Sequence, residues 1–71
     1  MTGAREQWNR LFPLMPRDAE WRLVADLRAY TGRPRTLILF ALAFAREYGI
    51  VEERIDWSRS RPRSMYRLRQ I

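Results

Sequence analysis

Residues 49–71 read GIVEERIDWSRSRPRSMYRLRQI, and their hydrophobic pattern repeats every second residue. Val51, Ile55 and Trp57 fall on one side of an extended chain, and Glu52, Arg54 and Asp56 on the other. Beyond them, Tyr66 and Leu68 alternate with Arg67 and Arg69. Between the two runs lies Ser58-Arg59-Ser60-Arg61-Pro62-Arg63, a polar stretch with a proline. Two alternating runs flanking such a stretch predict a β-hairpin with a basic tip, its strands at about 50–57 and 64–70. The alternation points Arg67 and Arg69 together, away from the core, and places Trp57 beneath the hairpin.

Upstream the period changes to that of helices. The third helix is expected over about 34–48, with Pro34 near its first turn and Gly49 just past its end. Its centre, Leu-Ile-Leu-Phe-Ala-Leu-Ala-Phe-Ala, is apolar around nearly the whole circumference. It reads as a buried spine, with Phe40 and Phe44 in the core. A second helix is expected over about 18–30. Asp18 is its N-cap, Leu23, Val24, Leu27 and Tyr30 form its apolar stripe, and Asp18, Arg22 and Asp26 form a charge ladder. A first helix is expected over about 4–12, where Trp8, Leu11 and Phe12 share a face and Pro13 ends it. Trp8 and Trp21 read as core or interface residues. The whole is one α+β domain, residues 1–71, with three helices followed by a C-terminal hairpin.

Charge is distributed unevenly along this chain. The segment 57–71 holds Arg59, Arg61, Arg63, Arg67 and Arg69 and no acid, whereas the first 56 residues carry nine arginines against eight acids. Five of the six net positive charges therefore lie in the last fifteen residues. Such a cluster repels itself unless something anionic covers it, and a polyanion is the simplest cover. All fourteen basic residues are arginine. GC-rich codon usage explains that as readily as a preference for the planar fork that grips phosphate.

Several classes of function fall away. With neither cysteine nor histidine, an ordinary zinc site is not expected, and neither is any cofactor. The usual neutral-pH acid/base is missing, and Ser58, Ser60 and Ser64 have no base to activate them. Glu52 and Glu53 are sequence neighbours that a strand points to opposite faces. An enzyme is not expected. The longest apolar run, Leu37 to Ala45, is far short of the roughly 20 residues that cross a bilayer. The expectation is a cytoplasmic, prokaryotic or phage protein without a membrane partner.

The residues Gly32-Arg33-Pro34-Arg35-Thr36-Leu37, then Ala41-Leu42, then Tyr48-Gly49-Ile50-Val51-Glu52, resemble a winged helix-turn-helix, with Met65-Tyr66-Arg67-Leu68 as the return strand of its wing. The resemblance covers roughly residues 18–70. It implies duplex DNA binding in the manner of a small regulator or excisionase-like architectural factor, with the third helix in the major groove and the wing on flanking backbone or minor groove. The candidate nucleic-acid contacts are Arg33, Arg35 and Thr36 at the helix start, Arg59, Arg61 and Arg63 at the tip, and Arg67 and Arg69 on the return strand. Arg33 and Arg35 oppose the helix dipole, which favours an anion nearby. The helix turns apolar after Thr36, so backbone contact is a better match than base reading. Each arginine also has a plainer reading, as a solvated loop or a charged edge that blocks aggregation. Three alternatives stay open: an inhibitor or adaptor on an acidic protein or ribonucleoprotein surface (an anti-CRISPR type of role), an RNA-binding protein, and, for the oligomeric state, a homodimer paired through an apolar first helix.

Overall fold

Seven chain segments build an α+β fold with three helices and a three-stranded antiparallel sheet, and the computed structural model describes residues 3–69. Helix α1 spans Ala4–Leu11 and runs into a 3-10 turn at Phe12–Leu14. A two-residue strand β1, Arg22–Leu23, precedes helices α2 (Val24–Thr31) and α3 (Arg35–Glu47). Strands β2 (Val51–Asp56) and β3 (Arg63–Leu68) form the hairpin. Residue 70, the expected end of the last strand, lies outside the described residues.

The order corrects the expectation of three helices followed by a hairpin. Residues 18–23 are not helical. The Asp18 carboxylate closes a local turn by accepting from the Glu20 amide at 3.2 Å, so it does not cap α2. Asp26 takes that place: it accepts from the Leu23 amide at 3.1 Å, within the first turn of a helix that starts at Val24. The physical reason is tertiary. The hairpin leaves the outer edge of β3 open, and Arg22 and Leu23 pair with Tyr66 and Met65 to cover it. The backbone bonds gained there outweigh helix propensity in a segment whose stripe was short. The sheet order is β1-β3-β2.

The helix ends follow their glycines. Gly32 and Gly49 are the positive-φ positions among the described residues, at 73° and 72°. The Gly32 amide donates to the Arg28 carbonyl at 2.9 Å and ends α2. Behind α3, the Gly49 amide donates to Arg46 at 3.1 Å and the Ile50 amide to Ala45 at 2.8 Å, the pair of bonds of a Schellman ending. This reversal feeds Ile50 onto the core and aims β2 back along the helix.

The core gathers Trp8 and Leu11 from α1, Met15, Val24 and Leu27, then Ile38, Ala41, Leu42 and Ala45 of α3, and Val51 and Tyr66 of the sheet. Burying it at roughly 25 cal/mol per Å² is the main stabilising term in a chain without disulfides. Helix α1 buries Trp8 and Leu11 against the core, whereas Phe12, the third residue of the expected apolar face, stays exposed. Helix α3 is not buried all round: its core stripe is Ile38, Ala41, Leu42 and Ala45, while Leu39, Phe40 and Ala43 face outward. Phe40 is therefore no core residue, although Phe44 does pack against the core. Tyr30 is exposed too, and Trp57 is 74% exposed instead of tucked beneath the hairpin.

Candidate nucleic-acid interface

The hairpin register pairs Glu53 with Tyr66, Glu52 with Arg67 and Asp56 with Arg63. Facing pairs in a sheet share a side, so the core side carries Val51, Glu53, Tyr66 and Leu68, and the outer side carries Glu52, Arg54, Met65 and Arg67. The alternation of sides read from the sequence holds within both strands, but Ile55 on the expected apolar side is exposed and Trp57 lies past the end of β2. The paired strands of the hairpin are close to neutral, because carboxylates of β2 lie directly opposite arginines of β3.

Two of the five C-terminal arginines are thereby matched inside the chain. Arg67 donates through Nε to Glu52 at 3.2 Å and through Nη1 to the Ala19 carbonyl at 3.3 Å. Its guanidinium also lies over the Trp21 ring, 4.3 Å from the centroid. Arg63 faces Asp56 at 3.9 Å, a loose pair. On the core side of the sheet, Arg46 donates to Glu53 at 2.7 Å, while the Tyr66 hydroxyl donates to the second Glu53 oxygen at 2.8 Å. The Tyr66 hydrogen bond, more than Arg46, holds the Glu53 carboxyl below the ordinary carboxylate range, against the opposing effect of burial. Burial, then Glu53 itself, raises the Tyr66 phenol.

The other arginines stand differently. Arg59, Arg61 and Arg69 are exposed, and among the described residues they form no ion pair. The Asp56 carboxyl is held low first by hydrogen bonds from Ser58 and then by the charges of Arg63 and Arg59, so Arg59 is coupled to it without forming a close ion pair. Arg35 is exposed at the start of α3, beside exposed Thr36, and forms no ion pair among the described residues. Arg35 and Leu39 share a cleft with Arg63 and Pro62, so the helix start and the hairpin arm open onto the same space. Comparison with protein families, with curated proteins and with solved structures returned no match.

Arg33 does not join this group. Its guanidinium donates to the Gln7 side chain at 3.2 Å, and its amide donates to the Thr31 hydroxyl. Gln7 is buried on α1, so Arg33 pins the turn between α2 and α3 onto the first helix. The expected set of eight contact residues thus divides. Arg33 and Arg67 are engaged within the fold, Arg63 is loosely paired, and Arg35, Thr36, Arg59, Arg61 and Arg69 are presented outward. The sequence reading took Trp57 for a packed residue. Its position directly before the arginine loop, with no apolar partner two residues further on, was the signal available for its exposure.

Proposed function

We propose that this protein binds nucleic acid, duplex DNA first, as a winged-helix module of the regulator or architectural kind. In this reading the hairpin is the wing. Its tip and the start of α3 grip the phosphate backbone, and base sequence contributes little. The observation that carries the reading is the surplus of exposed guanidinium: Arg59, Arg61 and Arg69 form no close ion pair among the described residues, although the charge of Arg59 reaches Asp56, and Arg35 shares a cleft with Arg63. Backbone grip is favoured over base reading because the outward face of α3 turns from Arg35 and Thr36 to Leu39, Phe40 and Ala43. Few of those groups can complement base edges in a major groove.

A second reading draws on the same stripe. Exposed Leu39 and Phe40, with Arg35 and Arg63 lining the cleft at Leu39, also suit an adaptor or inhibitor that docks on an acidic protein or ribonucleoprotein surface. A gel-shift titration with several unrelated duplexes separates the two. The nucleic-acid reading expects similar affinity for all of them at low salt and a uniform loss in R59A/R61A. No shift at low salt, together with recovery of one protein partner after nuclease treatment, favours the second reading.

A further inference from the structure

We propose that Trp57 is a stacking platform for one unpaired nucleobase, with Arg59 and Arg61 on its flanking phosphates, so that the preferred target contains a single-stranded segment. This rests on the nucleic-acid reading above and narrows its substrate class. Trp57 is 74% exposed, against 4% for Trp8 in the core. A chain of this size has little apolar surface to spare, and an indole left in water forgoes the burial that stabilises the rest of the fold.

The exposure belongs to a fixed corner. Asp56, the last residue of β2, accepts from the Ser58 amide at 3.0 Å and from the Ser58 hydroxyl at 2.6 Å. Trp57 lies between these two residues, so its backbone is held by a closed turn. The same carboxylate faces Arg63 across the base of the hairpin at 3.9 Å, which ties the returning arm to that corner. Pro62 stiffens the arm further. The ring is thus displayed on an ordered turn, and Arg59 and Arg61, exposed and without ion pairs among the described residues, follow it within four residues.

An exposed aromatic face on the same loop as exposed guanidinium groups is the combination that binds single strands. Any base offers a π-face to the ring, and the phosphates on either side meet the charge. A paired duplex keeps those faces inside its stack, so Trp57 gains little from a blunt helix. Leu39 shares its cleft with Arg35, but the ring that lines that cleft, Tyr66, is already hydrogen-bonded to Glu53.

The test compares a short blunt duplex, the same duplex with an oligothymidylate tail, and the same duplex with an oligouridylate tail, at one low salt concentration. Wild-type protein is expected to bind a tailed duplex on the order of tenfold more tightly than the blunt one. Trp57→Ala is expected to bind all three at the blunt-duplex affinity with an unchanged Tm, and Trp57→Phe to keep most of the preference. Preference for either tail supports the proposal and tells whether the unpaired base comes from DNA or RNA. Equal binding of blunt and tailed duplexes by the wild type, or a tail preference that survives Trp57→Ala, overturns the proposal and leaves the duplex reading standing. Failure to bind any of the three removes both.

Discussion

The guanidinium of Arg67 lies 4.3 Å from the centroid of the Trp21 ring and donates to Glu52. Arg54, on the neighbouring strand, approaches the same ring at 5.7 Å. The indole therefore sits against two arginines on the outer face of the sheet, and Arg67 reaches on to the Ala19 carbonyl. This cluster fastens the non-helical segment before β1 onto the hairpin. The cationic surface available to a ligand is accordingly smaller than the arginine count implies.

Arg67→Ala is expected to destabilise the fold by about 1–2 kcal/mol, combining the lost ring contact with the lost charged hydrogen bonds. Lysine is not expected to restore this, since it lacks the planar fork. Denaturant unfolding measures the loss. Binding to blunt duplex DNA should change less than twofold in the same variant.

The hairpin tip should behave in the opposite way. Arg59 and Arg61 are exposed and form no close ion pair among the described residues, so R59A/R61A should unfold within about 0.5 kcal/mol of wild type. Its affinity for duplex DNA should fall for every sequence, and its log–log salt slope should become shallower by about 2. A stability loss matching that of Arg67→Ala would place the tip inside the fold's own network.

The Glu53–Tyr66 pair sets a stability window in pH. Glu53 titrates below its ordinary value in the folded protein, so its contribution is present above the unfolded carboxylate range, near pH ~4.3, and is lost as pH falls through the folded value. Tyr66 titrates above its ordinary value, so its contribution is present below pH ~10 and is lost as pH rises through the folded value. Thermal unfolding across pH should show a plateau between these limits. Glu53→Gln should flatten the acid limb, and Tyr66→Phe the alkaline limb.

Gly32 separates α2 from α3 at a φ of 73°, and a Cβ there meets no atom within 4 Å. The cost of Gly32→Ala is therefore conformational alone, about 1 kcal/mol, and chemical denaturation should find it. Gly49 has nearly the same φ, but a Cβ there comes within 3.1 Å of the Arg69 side chain. The end of that side chain can shift, so Gly49→Ala should cost a similar amount.

Much of this architecture was legible in the sequence. Pro34 and Gly49 bounded α3 to within a residue or two, because a proline and a left-handed glycine act locally. The two-residue period placed Arg67 and Glu52 on the outer side of the hairpin. The start of α2 was not legible. Its residues are acceptable in a helix, and the edge of β3 that draws Arg22 and Leu23 into a strand lies more than forty residues away. Phe40 and Trp57 were misplaced for a related reason: apolar character says that burial is favourable, not that a neighbour is there to provide it. Among the candidate contacts, Arg33 and Arg67 were read as free because their partners, Gln7 and Trp21, meet them only in the folded chain.

The salt dependence of duplex DNA binding tests the central claim most directly, namely that the outward arginines are neutralised by phosphate. With about four of them engaged, fluorescence anisotropy should give a log–log slope between about −3 and −5. A slope indistinguishable from zero, or no binding at low salt, would contradict it.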